Sequence, residues 1–171
     1  TNSNLVNVND GLDLWADGTD SGVYSVDAGK TLSFASGTRD WNMGSSIVGF
    51  GAVHVGGGAV INSSGSSIQP SLTNAGTINT NAGSTTLLLN FGANDGIINI
   101  NASSALQLGG DHTNNGTYMG NGVLMMGGDS LSTLTNAGTI RPGASPGLLS
   151  IAGFLIATPA SIIEVELAGT T

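Results

Sequence analysis

The chain has 171 residues, a length that suits one domain with a sizeable buried core. Hydrophobic residues make up 39% of it and charged residues only 8%, against about 25% in a typical soluble domain. The net charge of −8, with three basic residues, excludes a basic nucleic-acid-binding surface and disfavours anionic membranes. Recurrent short aliphatic runs argue against disorder, and the scarcity of Lys, Glu, Arg and Gln argues against long helices.

The absence of Cys excludes disulfides and thiolate metal sites. The sequence begins at Thr1 without a signal-peptide pattern, so we expect a processed protein or an excised segment. Its most apolar stretch, residues 148–157, is too short to span a bilayer, and we expect no membrane insertion by this segment.

Four acidic residues cluster near the start of the chain: Asp10, Asp13, Asp17 and Asp20. Calcium prefers hard oxygen ligands of this kind. Counted back from Gly18, Asp13 and Asp17 fall at ligand positions of an EF-hand-type loop, but Trp15 occupies the position between them. We therefore expect a solvated loop, with the four aspartates as weak candidates for a metal site.

Residues 23–34 are typical of two short strands joined by a turn. Val23–Val26 and Thr31–Phe34 alternate apolar and small polar residues, and Asp27–Lys30 has the composition of a turn. The pattern blurs over residues 35–70. Several glycines offer alternative corners there: Gly49, Gly51, Gly56, Gly57 and Gly58.

An Asn-x-Gly motif then recurs four times, at starting positions spaced by 20, 20 and 22 residues. A weaker match lies earlier, at residues 20–24. Asn and Gly tolerate the left-handed backbone conformation, so we expect the motif to form sharp corners of a repeating structure. The predicted corner residues are Asn74, Gly76, Asn94, Gly96, Asn114, Gly116, Asn136 and Gly138.

Each repeat continues with a short alternating strand, a second turn and a second aliphatic strand. A unit of this length with two or three strands and no helix fits one coil of a parallel β-helix. We therefore predict an all-β solenoid with coils of about 20–22 residues, roughly eight coils in all, as one segment over residues 1–171. A β-sandwich is the alternative, although the constant spacing argues against it.

Stacked coils would explain the composition. Equivalent side chains would lie above one another, so that aliphatic residues form interior columns and Asn, Ser and Thr form hydrogen-bonded ladders. Like charges in one column would repel each other, which gives a reason for their scarcity.

The C-terminal region has a more specific pattern. The stretch Leu134–Gly147 contains Asn-Ala-Gly-Thr-Ile followed by Pro-Gly-Ala-Ser-Pro-Gly, and Ser161–Gly169 follows after another apolar run. This resembles a stretch of large secreted bacterial β-helix proteins, including autotransporter passengers and filamentous-haemagglutinin-like adhesins. Residues 22–34 resemble their coils as well. The resemblance implies a right-handed parallel β-helix, export, extracellular or cell-surface display, and a longer chain of which these residues are part.

Two carboxylate pairs are candidates for catalytic groups, because glycoside hydrolysis needs two positioned carboxyls. Asp95 and Asp111 fall at different places in their repeats. Glu164 and Glu166 alternate in a strand and share one face, which we expect to be solvent-facing. The opposite face, expected to be core, contains Ile163, Val165 and Leu167.

Other candidates have simpler interpretations. His54 and His112 are far apart in sequence, and we expect each to be a surface or turn residue. The run Gly56–Gly58 lacks the Lys-Ser/Thr of a phosphate loop. Trp15 and Trp41 could stack on sugars if exposed, or fill irregular early coils.

The sequence therefore favours a non-catalytic structural or adhesive segment, without a cofactor, located outside a bacterial cell. Its expected partners are further copies stacked end to end into a fibre, or a host or cell-surface glycan or protein. The alternative is a glycan-binding or glycan-cleaving β-helix.

Overall fold

The computed structural model describes residues 1–127, 132–143 and 147–166. These residues form 20 β-strands and no helix, so the described part contains no membrane-spanning helix. The strands are β1 (Leu5–Val8), β2 (Leu12–Leu14), β3 (Gly18–Asp20), β4 (Val23–Val26), β5 (Thr31–Trp41), β6 (Ser46–Gly49), β7 (Ala52–Ser63), β8 (Ser67–Asn74), β9 (Thr77–Thr80), β10 (Thr85–Asn94), β11 (Ile97–Ile100), β12 (Ala105–Leu108), β13 (His112–Asn114), β14 (Thr117–Gly120), β15 (Val123–Met126), β16 (Thr133–Asn136), β17 (Thr139–Pro142), β18 (Ser150–Ala152), β19 (Phe154–Ala157) and β20 (Ile162–Ile163).

The strands pair in parallel and wind into a solenoid with three faces. Face A contains β1, β4, β6, the starts of β8 and β10, and then β12, β15 and β18. Face B contains β2, the first parts of β5 and β7, the ends of β8 and β10, and then β13, β16 and β19. Face C contains β3, the last parts of β5 and β7, and then β9, β11, β14, β17 and β20.

Each coil crosses faces A, B and C once, and the chain makes about eight coils. The prediction of an all-β solenoid of roughly eight coils is therefore confirmed. The successive predicted corners Asn74, Asn94, Asn114 and Asn136 are 20, 20 and 22 residues apart and pair with one another. The right-handed sense stays a prediction, in keeping with the strong general preference of parallel crossovers.

Residues 35–70, where the sequence pattern blurred, continue the same three faces. The long strands β5 and β7 each run from face B to face C without a separate turn. A register shift between Phe34 and Ser36, and the positive φ of +82° at Gly37, take the chain around the corner. The period blurs because a bend within a strand replaces the Asn-x-Gly turn of the later coils.

Inward-facing side chains form continuous apolar columns. On face B, Leu32 stacks on Val53 and then Leu72, and on face C, Ile61 stacks on Ile78. All five are buried. Burying each such side chain stabilises the fold by about 1.5–3 kcal/mol, so the columns hold the coils together.

Candidate functional site

The four predicted corner asparagines form one column inside the solenoid, where face B meets face C. All four are buried. The Nδ2 of Asn74 donates to Asn94 Oδ1 at 2.8 Å, and Asn94 donates to Asn114 at 2.8 Å. Asn114 in turn donates to Asn136 at 2.7 Å. We call this row of head-to-tail amides the asparagine ladder.

The same side-chain amides also donate hydrogen bonds to the backbone of their own corners. Asn94 Nδ2 lies 3.2 Å from Gly96 O, and Asn114 Nδ2 lies 3.2 Å from Gly116 O. Buried amides satisfied in this way rigidify a core rather than recognise a ligand. The ladder is therefore a structural element of the scaffold.

The glycines of these corners are required for a reason other than the expected one. They do not have the positive φ that was predicted, so that expectation is wrong. An ideal Cβ on Gly96 would lie 2.1 Å from the carbonyl oxygen of Gly76, and a Cβ on Gly116 or Gly138 would be equally close to the preceding glycine's oxygen. The backbones of successive corners approach so closely that only glycine fits.

Left-handed glycines occur instead at other turns. Gly29 and Gly83 have φ of +74° and +77°, in the two turns predicted from Asp-Ala-Gly and Asn-Ala-Gly. Ser103 takes the equivalent position one coil after Gly83, with φ of +61°. The weaker Asn-x-Gly match at residues 20–24 lies at the corner between faces C and A, so it is not in register with the ladder.

Asp20 belongs to a buried ion pair near the first coil. Arg39 Nε donates to Asp20 Oδ2 at 2.9 Å, and Arg39 Nη2 donates to Asp20 Oδ1 at 2.6 Å. Tyr24 Oη donates to Asp20 Oδ1 at 2.8 Å. Burial, with the hydrogen bond to Asp20, raises the pKa of Tyr24. Gly18 leaves the space that the guanidinium fills, since a Cβ there would lie 2.2 Å from Arg39 Nη1.

The other three aspartates of the predicted cluster do not join Asp20. Asp10 forms an exposed ion pair with Lys30, with 3.4 Å between Oδ1 and Nζ. Asp17 accepts a hydrogen bond from the backbone N–H of Thr38 at 2.7 Å, and Asp13 is exposed on β2. Within the described ranges, no group of three or more acidic or His side chains is placed to hold a metal ion.

The first candidate carboxylate pair, Asp95 and Asp111, is divided between two corners of the solenoid. Asp95 accepts a hydrogen bond from Asn115 Nδ2 at 2.9 Å, and Asp111 accepts one from the backbone N–H of Thr133 at 2.8 Å. Each carboxylate thus binds the coil that follows it. The geometry joins coils and does not form a two-carboxylate site.

The second pair lies on the last described coil. Glu164 is exposed, and Glu166 accepts a hydrogen bond from the backbone N–H of Gly147 at 2.6 Å. Ile163 and Val165 were expected to be core, and this expectation is wrong, since they are 49% and 73% exposed. No described coil follows to cover them. Leu167 lies outside the described residues.

His112 is buried inside face B, which contradicts the expectation of a surface or turn residue. Its ring stacks on Phe91, with 4.4 Å between centroids, and meets the edge of Tyr118 at 5.9 Å. Burial lowers the pKa of His112 to about 4 and raises the pKa of Tyr118 well above its usual value. His54 is half-buried, and its Nδ1 lies 3.0 Å from Thr73 Oγ1.

The two tryptophans have opposite environments. Trp41 is buried and packs against Phe34 at 5.1 Å between ring centroids, so it fills an early coil. Trp15 is 69% exposed, at the corner between β2 and β3. The glycine run begins at buried Gly56, where an ideal Cβ would lie 3.0 Å from Ala35 O, a packing role in the solenoid.

The last described coil exposes an apolar face, which we call the C-terminal face. Ile163 continues the inward column of Ile140, and Leu155 continues that of Leu134. A cavity of about 250 Å³ opens there, with Glu164 and Glu166 beside its apolar wall. The exposed large apolar side chains that line this cavity are Leu148, Leu155, Ile163 and Val165. Phe154, Ile156 and Ile162 are exposed as well, but they alternate with the inward residues and lie on the outer surface of the solenoid.

Comparisons with models of protein families, with curated proteins and with solved structures give no significant match. The residues of this chain alone therefore carry the functional argument. The Pro-Gly-Ala-Ser-Pro-Gly motif lies partly outside the described residues, since Ala144, Ser145 and Pro146 are not among them.

Proposed function

We propose that this chain is a non-catalytic structural or adhesive segment of a secreted bacterial cell-surface or extracellular filament protein. The observation that carries the proposal is the stacked solenoid, whose described coils have an interior filled by apolar columns and by the asparagine ladder. Among the described residues, no strand pairs with the outer edges of β18, β19 and β20. Unpaired strand edges with apolar side chains are surfaces on which another strand adds readily. The resemblance of Leu134–Gly147 to exported β-helix proteins supports the extracellular location.

The interior supports a rod-like role. Parallel pairing joins each coil to the next, and the asparagine ladder adds buried amide hydrogen bonds along the axis. At about 4.8 Å per coil, eight coils form a rod on the order of 40 Å long. Because each coil is fixed to its neighbours, such a solenoid is a stiff rod, which suits a spacer or a fibre.

Where no further coil of the same chain covers the C-terminal face, the partner that we propose for it is a second copy of the chain. The first described coil has strands on the same three faces, β1, β2 and β3, and could continue the parallel pairing of β18, β19 and β20. Acidic residues lie near both surfaces, including Asp13 and Asp17 on one and Glu164 and Glu166 on the other. Salt screens such like charges, so we expect it to favour the association.

An association experiment tests this function. Sedimentation velocity and electron microscopy of the protein, at rising concentration and salt, should show end-to-end assemblies. Ile163→Glu places a charge on the C-terminal face and should abolish them. Phe50→Glu is the matched control, because Phe50 is 91% exposed away from that face and its substitution should leave assembly intact. Monomers under every condition, or assembly insensitive to Ile163→Glu, would refute the proposed self-association.

The location has its own test. Antibody labelling of intact cells of the source organism should detect the chain on the outside. Labelling only after the cells are lysed would contradict the extracellular part of the proposal, whatever the assembly state.

Glycan binding is the second candidate, and the exposure of Trp15 favours it. An exposed indole can stack on a sugar ring, and the carboxylates of Asp13 and Asp17, two residues away on either side in the sequence, can accept hydrogen bonds from the sugar hydroxyls. Glycan-array binding that is lost in Trp15→Ala and retained in Phe50→Ala would support this role. Binding unchanged by Trp15→Ala would remove it.

A further inference from the structure

A small cavity lies inside the early coils, where face C meets face A. The space open to the centre of a water-sized sphere is about 10 Å³. That volume matches one water molecule and is too small for an organic ligand. Its walls include Asp20, Tyr24, Trp41, Ser45, Ser66 and Ile68.

Ser45 provides a polar group that needs a partner in this cavity. The residue is 5% exposed, and its Oγ is buried without a hydrogen-bond partner among the described residues. Its backbone N–H is already satisfied by Asn42 O at 3.0 Å, so the unmatched group is the hydroxyl. A buried hydroxyl left unpaired costs free energy, and such groups in native proteins are usually bound to ordered water.

The remaining polar wall can complete the coordination of a neutral molecule. Asp20 Oδ2 accepts one hydrogen bond, from Arg39 Nε, and a carboxylate oxygen can accept a second. Arg39 balances the charge of Asp20 across two short contacts, so the wall does not call for a cation. Ser66 Oγ, on another coil, adds a further acceptor and donor.

We propose that one water molecule binds in this cavity, accepts the hydrogen of the Ser45 hydroxyl and donates to Asp20 and Ser66. Ser66 Oγ lies 2.6 Å from Ser63 Oγ, which lies 2.7 Å from Thr86 Oγ1. The water therefore connects the Asp20–Arg39 ion pair to a row of buried hydroxyls in later coils. The first coils would then have a buried row of polar groups comparable to the asparagine ladder of the later coils. This proposal does not depend on the proposed function.

Magnetic relaxation dispersion of water nuclei tests the site in the intact protein. The wild type should show one more long-lived water than Ser45→Ala. Ser33→Ala is the matched control, because Ser33 is a half-buried serine on β5 that does not line the cavity, and its substitution should leave the signal unchanged. Equal signals from the wild type and Ser45→Ala would overturn the proposal.

A crystal structure of the wild type at atomic resolution provides a test that does not depend on a variant folding. The expected result is a single water within hydrogen-bond distance of Ser45 Oγ and of at least one oxygen of Asp20 or Ser66. An empty cavity, or a Ser45 hydroxyl that donates to a backbone carbonyl instead, would contradict the proposal.

Discussion

His112 is held neutral by its surroundings. It is sandwiched between Phe91 and the edge of Tyr118, and its Nε2 is buried without a hydrogen-bond partner among the described residues. Its pKa of about 4 lies below the value near 6.5 of an unfolded chain, so the unfolded state binds the proton more readily as pH falls. The stability contributed by the neutral ring is present above pH 6.5 and is lost progressively toward pH 4.

This shift predicts a measurable pH dependence. Between pH 7.5 and pH 5 the free energy of unfolding should fall by about 2 kcal/mol through His112. Urea unfolding at the two pH values should show this fall in the wild type and in His54→Gln, and its loss in His112→Phe. An equal fall in His112→Phe would show that other groups cause it.

Asn94 is the central test of the asparagine ladder. Asn94→Ala removes the acceptor of Asn74 and the donor to Asn114, both at 2.8 Å. Leaving two buried amide groups short of a partner should cost about 2–5 kcal/mol, measured by urea unfolding. Asn115→Ala removes only an exposed hydrogen bond to Asp95 and should cost about 0.5 kcal/mol or less. Equal costs would show that the ladder does not stabilise the core.

The sequence allowed the position of these asparagines to be predicted, because their spacing is set by one coil. It did not reveal the buried Asp20–Arg39 pair. The acidic cluster drew attention to metal binding, whereas the decisive residue was an arginine 19 positions away, at an inward position of β5. The one sign in the sequence is that Arg39 lies two residues before Trp41, so both side chains point to the same side of β5. An inward arginine is not expected from this pattern, because charged residues are rarely buried.

Turns of the solenoid use glycine for two different physical reasons. Gly96→Ala would force a Cβ to within 2.1 Å of Gly76 O, so neighbouring coils would have to separate. In Gly83→Ala the added Cβ has no atom within 4 Å, so the only expected cost is that of holding alanine at a φ of +77°, about 1–2 kcal/mol of stability. Gly11 has neither a close neighbour nor a positive φ, so Gly11→Ala should leave the free energy of unfolding nearly unchanged.

Thermal and urea unfolding of the three variants should therefore rank Gly96→Ala as the most destabilised and Gly11→Ala as the least. If Gly96→Ala were no worse than Gly83→Ala, the close approach of the corner backbones would not be a constraint.

At the level of elements, the later coils follow their sequence pattern more closely than the early ones. Asn-x-Gly marks a break between strands, as between β8 and β9. In β5 and β7 the chain bends within a strand, and the sequence shows only scattered glycines. Local patterns identify turns that end a strand. They do not identify bends that tertiary stacking imposes on a continuous strand.

The whole molecule should tolerate loss of a complete coil. Deleting residues 94–113 joins Ala93 to Asn114, which lies 20 positions after Asn94 and would take its place beside Asn74. Because coils contact mainly their neighbours, the shortened chain should still unfold cooperatively and be about 4.8 Å shorter by small-angle X-ray scattering.

Deleting only residues 94–103 is the control for that experiment. It should misalign the three faces and abolish cooperative unfolding. If both deletions behaved alike, the coil would not be the structural unit of the chain.

The ladder also has closed ends. Val55 precedes Asn74 in its column and Ala157 follows Asn136, so apolar side chains bound the row of amides on both sides. Between these limits each asparagine is equivalent to the next and presents the same donor and acceptor to its neighbours. Recombination that duplicates or removes one repeat would therefore change the length of the protein without creating an unmatched amide. The number of coils can then change in evolution while every buried asparagine keeps its hydrogen-bond partners.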